Sequence, residues 1–362
     1  MRVVVLGGLG NFGSRICRRL SRESGIEVIA AGRRGREHGA ASITFETIDL
    51  NAPDFRFALR ALRPDLVIHC IGPYQGQDYR VVRATLECGA HYVDLADGRE
   101  FVSGFAEHNH AAALRAGRAA ITGASTLPAL SSAVVDHLLG RFARVEEIDI
   151  AIAPGQHAPR GTATIGGVLS YAGKGFPWWE RGRWRTAYGW QELRRMRFPF
   201  GTRWAAACDV PDLNLFPARY AGVRTVTFRA ALEVSLQHYA LWCLAGLRRI
   251  GVPLPLERWA RVFNHAARWL DRFGTDCGGM RVSLSGVDAA GRHRHSTWYL
   301  VAGSNHGPEI PCMASVLLAR KLADAAPAAG GASMCVGMLT LSDFEPEFGR
   351  WDMKTSIEDG AA

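Results

Sequence analysis

Lysine is almost missing from this 362-residue chain. There are three, Lys174, Lys321 and Lys354, against 40 arginines, so the net charge of +9 is carried by guanidinium groups. That bias follows genome composition and has no chemical meaning by itself. The positive field does attract anionic ligands. No nucleic-acid-binding motif accompanies it, so a nucleic-acid partner is not expected. Paired cysteines are missing as well: none of Cys17, Cys70, Cys88, Cys208, Cys243, Cys277, Cys312 and Cys335 stands in a Cys-x-x-Cys pair. Zinc ribbons and dithiol redox sites use that spacing, so no metal centre is indicated. The cysteines lie in apolar surroundings, as reduced and mostly buried thiols do. No Ser-His-Asp order supports hydrolysis. No uncharged apolar run reaches the roughly 20 residues of a spanning helix. No signal peptide precedes the first strand, and a cytoplasmic location is the expectation.

What the chain does have begins at once. Residues 3–6 (Val-Val-Val-Leu) suit a strand buried on both faces. Gly8-Leu9-Gly10-Asn11-Phe12-Gly13 follows, a G-x-G-x-x-G, and then an amphipathic stretch with Ile16 and Leu20 on one side. Strand, glycine turn and helix form the context in which this motif binds a dinucleotide. Gly8 permits the tight turn, Gly10 lets the backbone approach a pyrophosphate, and Gly13 lets helix pack on strand. Asn11 and Phe12 complete the loop, and the helix start offers N–H groups to phosphate.

The end of the second strand, residues 27–31, selects the cofactor. An NAD-binding domain usually places a carboxylate there for the ribose 2′-hydroxyl, which would repel a 2′-phosphate. This chain reads Gly32-Arg33-Arg34 instead. Two guanidiniums suit a phosphate, so NADP is favoured over NAD. After a third strand at 43–48, Asp49-Leu50 is placed to flank the adenine. A fourth strand at 65–71 runs into Ile71-Gly72-Pro73-Tyr74, at a carboxyl end where ligands bind in doubly wound sheets. Strands at 91–95 and 119–122, with helices at 55–62, 79–88 and 101–116, complete a parallel alternation. Ser125 lies just beyond the last of these strands.

Past residue 140 the texture changes. Residues 177–204 interleave Trp and Arg and are expected to form a lid or a dimer face rather than a nucleic-acid stacking surface. Residues 232–250 are strongly apolar and are expected to be a buried domain helix; lying on a membrane surface and lining an apolar substrate cavity are the less favoured alternatives. Residues 279–287 and 296–302 read as paired strands around a turn at 288–291. A helix at 313–323, a loop at 325–332 and a last strand at 334–341 follow.

These pieces resemble the saccharopine dehydrogenase / saccharopine reductase-like family. The resemblance rests on the N-terminal GGLGNFG, on Cys70-Ile71-Gly72-Pro73-Tyr74, and on Cys88-Gly89-Ala90 before His91-Tyr92-Val93-Asp94-Leu95. Residues 123–130 are similar to that family's Gly-x-x-x-x-Pro-Gly turn, with Ala129 where the second Gly usually sits. The resemblance covers about the first 140 residues, with a weaker match near the C-terminal end. It implies an α/β protein: an N-terminal Rossmann-type doubly wound parallel sheet (1–130 and 308–350) plus a mixed α/β second domain (131–307). It further implies a homodimer and NADP-linked oxidoreduction. The Trp/Arg stretch and the apolar helix do not resemble the substrate domain of a true saccharopine dehydrogenase, so that activity is not transferred.

Hydride transfer needs orientation and a proton source. The nicotinamide is expected past the fourth to sixth strands, and Asp94, His306 and Tyr74 are the candidate catalytic residues, with Tyr92 and His157 behind them. The expected activity is hydride transfer to or from a C=N, C=O or activated C=C bond of a small molecule. One alternative is an enoyl reductase acting on lipid- or polyketide-linked substrates. The other is a dinucleotide-binding sensor or scaffold without turnover.

Overall fold

A computed structural model describes residues 1–33, 43–324 and 330–361. Its strands, in chain order, are β1 (Arg2–Leu6), β2 (Glu27–Gly32), β3 (Ile43–Thr47), β4 (Leu66–His69), β5 (His91–Asp94), β6 (Ala119–Thr122), β7 (Arg144–Ala153) and β8 (Gly175–Glu180). Then come β9 (Arg183–Tyr188), β10 (Arg194–Phe198), β11 (Gly201–Ala207), β12 (Thr225–Ala231), β13 (Gly278–Val287), β14 (His293–Ala302), β15 (Gly331–Met334) and β16 (Lys354–Ala361). They fall into two compact units, Met1–Leu130 with Glu309–Leu339, and Ser131–Pro308 with Thr340–Ala362.

The first unit holds a seven-stranded sheet in the order β15-β6-β5-β4-β1-β2-β3. Its neighbours pair in parallel throughout. Val3, Val4 and Val5 have no exposed surface, as a strand covered on both faces requires. Each such side chain contributes roughly 1.5–3 kcal/mol of burial. The helix Gly13–Leu20 buries Ile16, Cys17 and Leu20. The stretch expected as one helix at 101–116 is two, Arg99–Ser103 and Phe105–Ala116. The break is at Gly104, where a Cβ would stand 3.0 Å from the Tyr79 hydroxyl. The returning helix Ile310–Asp324 is tied to the first helix by an ion pair between Arg15 and the buried Glu309. The last strand lies earlier than expected, at Gly331–Met334, and Cys335 N–H then bonds Thr122 O at 2.8 Å.

The second unit holds a nine-stranded mixed sheet. Seven strands run in the order β10-β11-β12-β7-β13-β14-β16, and β8 leaves that path to pair with β12 and β9. β12 and β7 are parallel; β13 and β14 form the long antiparallel hairpin. Thr227, Asp149, Ser283 and Thr297 stand in register across four strands, and Arg229, Ala151, Arg281 and Tyr299 form the next row. One face is therefore polar at its centre. Arg229 bonds Asp149 at 3.1 Å, and Arg194 and Arg281 each approach it at 3.8 Å.

Three expectations are revised in this unit. The segment 340–350, assigned by sequence to the cofactor domain, belongs here. It is the helix Leu341–Arg350, begun by a Thr340/Asp343 capping box, and its Phe348 ring lies 6.2 Å from Trp298. The 177–204 stretch supplies β8 to β10 and part of β11 rather than a lid, and Trp178 and Trp190 are core residues. Trp178 lies between two guanidiniums, Arg185 at 5.2 Å and Arg229 at 5.1 Å. The apolar segment forms the helix Ser235–Arg249, but it buries only His238, Leu241 and Ala245. Among the described residues no helix is long and apolar enough to cross a membrane.

Candidate functional site

The strand order of the first unit changes direction between β1 and β4, and ligands of doubly wound sheets bind beyond such a point. The glycine turn sits there. Gly7, with φ +81°, is its left-handed residue, one position before the Gly8 to which sequence assigned the turn. Gly8 is required by close approach instead, since a Cβ there would lie 2.8 Å from Ala30 Cα. At Gly13 a Cβ would fall 2.2 Å from Gly7 O, so helix and turn can meet only through glycine. Phe12 precedes the helix without a side-chain cap, and no acid occupies its first turn. The helix start thus carries no acid of its own, and Glu309, packed beside it, is paired with Arg15, as a phosphate site allows. Asn11 and Phe12 are half-buried in this turn.

Ile71 and Gly72 adjoin the turn from β4. Cys70 N–H donates to Leu6 O at 2.9 Å, and a Cβ on Gly7 would lie 2.9 Å from Ile71 Cγ1. Gln77 Nε2 holds this loop by donating to Ile71 O at 2.8 Å and Pro73 O at 2.7 Å. Beside it opens a cavity of about 440 Å³, lined by Arg33, Asp49, Leu50, Ile71, Gln77 and Arg80, among others. Arg33, Asp49, Leu50 and Ile71 were assigned to the cofactor from sequence, and the fold brings them together. Arg34 lies outside the described residues. Arg80 was not anticipated. It donates to Asn51 Oδ1 at 2.8 Å, lies 3.7 Å from Asp78, and adds a second guanidinium to the lining of this cavity. Nothing in the spacing flagged it, since it stands 47 residues along the chain from Arg33.

Behind the ends of β4, β5 and β6 lies a buried polar cluster. Asp94 has no exposed surface. Its Oδ1 accepts from Ala96 N–H (2.9 Å), Thr122 Oγ1 (2.9 Å) and Gly123 N–H (2.8 Å). Burial raises its pKa to about 6 in spite of those bonds. Asp94 thus clips the end of β5 to the end of β6 and fixes the turn that leads to Ser125, itself buried. Its Oδ2 is buried without a hydrogen bond. Tyr74, expected as a proton donor, is buried and commits its hydroxyl to His69 O at 2.6 Å. Burial first, and then the charge of Asp94, push its pKa well up. His69 was not anticipated. Burial lowers its pKa to about 3, so the ring is neutral, and its Nδ1 meets the Tyr92 hydroxyl at 3.0 Å. A histidine at the end of an otherwise apolar strand was the signal available in the sequence.

His306 belongs to the second unit, where its Nδ1 meets Trp351 O at 2.8 Å. His157 is there too, its Nε2 2.8 Å from Asp271 O. Among the described residues no group of His, Cys, Asp and Glu could hold a metal ion.

Residues 3–123 match the family described as the saccharopine dehydrogenase NADP binding domain. Over the whole chain the structure is similar to apo saccharopine dehydrogenase (L-Glu forming) from Saccharomyces cerevisiae. The two are 12% identical, with 99% of this chain and 100% of that one covered and a TM-score of 0.67. It is similar to homospermidine synthase from Legionella pneumophila, solved with NAD, at 12% identity, 99% and 91% coverage and a TM-score of 0.64. It is also similar to a C. glutamicum DAP dehydrogenase solved with DAP, at 13% identity, 95% and 98% coverage and a TM-score of 0.51. At such identities the likeness is one of fold. No curated protein matches the sequence.

Proposed function

We propose, from the premise that residues 3–123 form a saccharopine dehydrogenase-like NADP-binding domain, that this protein is an NADP-dependent oxidoreductase. It moves a hydride to or from a C=N, C=O or activated C=C bond of a small molecule. The supporting observation is the cavity lined by Arg33, at a strand end where an NAD enzyme usually keeps an acid, and by Arg80. The glycine cradle fits the cofactor: a Cβ at Gly13 would close it, and the helix start behind it bears no acid. Bound there, NADP supplies or accepts the hydride.

The chain's own residues do the rest. Gly8, Gly10 and Gly13 admit the pyrophosphate, and the helix start neutralises part of its charge. Arg33 and Arg80 receive the 2′-phosphate, and Asp49 and Leu50 border the adenine. Ile71, Gly72 and Pro73 line the nicotinamide, and Gln77 holds their carbonyls in place. Asp94 is a positioning residue that fixes the loop carrying Ser125. Tyr74 positions the Gly72–Pro73 segment by anchoring to His69 O.

Titration of the protein with NADPH and NADH tests this reading, in wild type and in Arg33→Ala/Arg80→Ala. The expected result is tight NADPH binding that falls towards the NADH value in the double variant. Equal wild-type affinities would defeat the NADP assignment, and no binding of either would defeat the enzyme. A second reading, reduction of lipid- or polyketide-linked substrates, is favoured by one observation. Of 13 large apolar side chains exposed among the described residues, ten lie at positions 236–273.

A further inference from the structure

Eight of those ten side chains fall on two stripes. On the helix Ser235–Arg249, the exposed Leu236, Tyr239, Cys243, Leu247 and Ile250 recur every three or four residues. On Ala260–Trp269 and its flanks, Trp259, Val262, Ala266, Trp269 and Phe273 repeat the same spacing. Each set forms one outward stripe. Val262, Trp269 and Ile250 are exposed by 67%, 73% and 77%. The inward side of the first helix is separately apolar, through Leu241 and Ala245. The outward stripes are therefore not the faces that hold the helices to their sheet. Gln237 Nε2 to Ala267 O (3.4 Å) and Arg248 to Glu257 (3.3 Å) tie the two helical segments together. Outward apolar stripes on two linked helices mark an interaction site.

The charge around the stripes identifies the occupant. Residues 235–273 contain six arginines and two acids. Both acids are already engaged, Glu257 by Arg248 and Asp271 by Arg160 at 2.6 Å. Arg249, Arg258, Arg261, Arg268 and Arg272 are exposed. Arg272 lies 4.7 Å from the ring of Phe273, a stripe residue, so its charged end stands beside the apolar surface. Tryptophan, tyrosine and arginine around an aliphatic stripe are the side chains that settle at the headgroup level of a bilayer. A second copy of the chain on the same face would set arginines against arginines, which costs binding. A negatively charged lipid surface pairs with them.

We propose that the helices Ser235–Arg249 and Ala260–Trp269 lay the second unit on an anionic membrane surface, without crossing it. This does not depend on the cofactor reading. The test is flotation of the full chain with vesicles of phosphatidylcholine containing phosphatidylglycerol, and with phosphatidylcholine alone. The wild type should float with the anionic vesicles and detach in high salt. Val262→Asp/Trp269→Asp should lower the bound fraction about tenfold or more. Arg261→Gln/Arg268→Gln should remove the preference for phosphatidylglycerol. NADPH titration and circular dichroism of each variant should match wild type, because all four positions are exposed. Absence of flotation in wild type, or equal flotation of the aspartate variant, would overturn the proposal. So would a wild-type dimer in sedimentation that becomes monomeric in the aspartate variant without vesicle binding, which would assign the stripes to a second copy.

Discussion

The two sheets solve opposite problems. The first is parallel throughout, and its strands read as apolar runs, such as Val3 to Leu6 and Leu66 to Ile68, because crossovers cover both faces. Its chemistry is confined to loops beyond the strand ends. The second is mixed, and one face carries Asp149, Thr227, Ser283 and Thr297 in a single row. Its helices turn apolar residues outward. The first unit is built around one ligand of fixed shape, so its requirements appear as spacings. The second shows no such spacing, and its composition stands out only by tryptophan. One further asymmetry makes the comparison measurable. All ten tryptophans, from Trp178 to Trp351, lie in the second unit, so their fluorescence reports on that unit alone.

The largest effect is expected from Gly10→Asp. It places a carboxylate against the pyrophosphate path and should weaken NADPH about 100-fold, roughly 3 kcal/mol, in a calorimetric titration. The tryptophan emission should not move; a shift would mean that the units are not separable as described.

Asp94→Ala should follow closely. It strips three donors of one buried acceptor and should lower the stability of the first unit by about 3 kcal/mol in denaturant titration. Asp94→Asn sharpens the point through pH. The folded carboxyl titrates near 6, above its ordinary 3.8, so between those values the native state keeps a proton that the unfolded chain has released. Its contribution to stability therefore falls as pH rises from about 4 to about 6 and is level above, by at most roughly 3 kcal/mol. The asparagine variant should lose that slope. An identical slope in both would remove Asp94 from the account.

In the second unit, Asp149→Asn leaves Arg194, Arg229 and Arg281 without their shared carboxylate. It should cost about 2 kcal/mol and shift the emission of Trp178, on which Arg229 stacks, while NADPH affinity stays constant. The smallest effect should come from Arg80→Ala alone, about tenfold in NADPH affinity with NADH unchanged. A loss for both cofactors would make Arg80 a support for the loop at Asn51 rather than a phosphate ligand.

The parallel sheet was legible because β-branched runs, a glycine turn and helices stopped by Gly89 and Gly117 are all short-range signals. Arg80 was not, since it stands at a helix start 47 residues along the chain and reaches the cavity lined by Arg33 only through the fold. Asp94 was visible as an acid at a strand end, but its role was not, because two of its three donors arrive from β6 and the turn after it. β16 escaped notice because Lys354–Ala361 is mostly polar and becomes a strand only by pairing with β14. Hydrophobicity marked 232–250 as a helix, but that helix is apolar on two sides, and composition does not say which side faces inward. Interleaved Trp and Arg over 177–204 suggest a lid or a dimer face, yet Trp178 and Trp190 are core residues. The arginines turn out to stack on Trp178 and leave it in the core.

The chain passes from one unit to the other three times, after Leu130, after Pro308 and after Leu339. Each sheet therefore waits for the tail of the polypeptide: β15 completes the edge beside β6, and β16 covers β14. On the ribosome the first unit cannot finish before residue 339, nor the second before the last strand is made. A nascent chain paused near residue 300 would expose two strand edges at once, a state open to mispairing. Cutting the chain at residue 130 does not release a finished domain either. Grafting the cofactor half elsewhere would require residues 309–339 to be rejoined directly to Leu130.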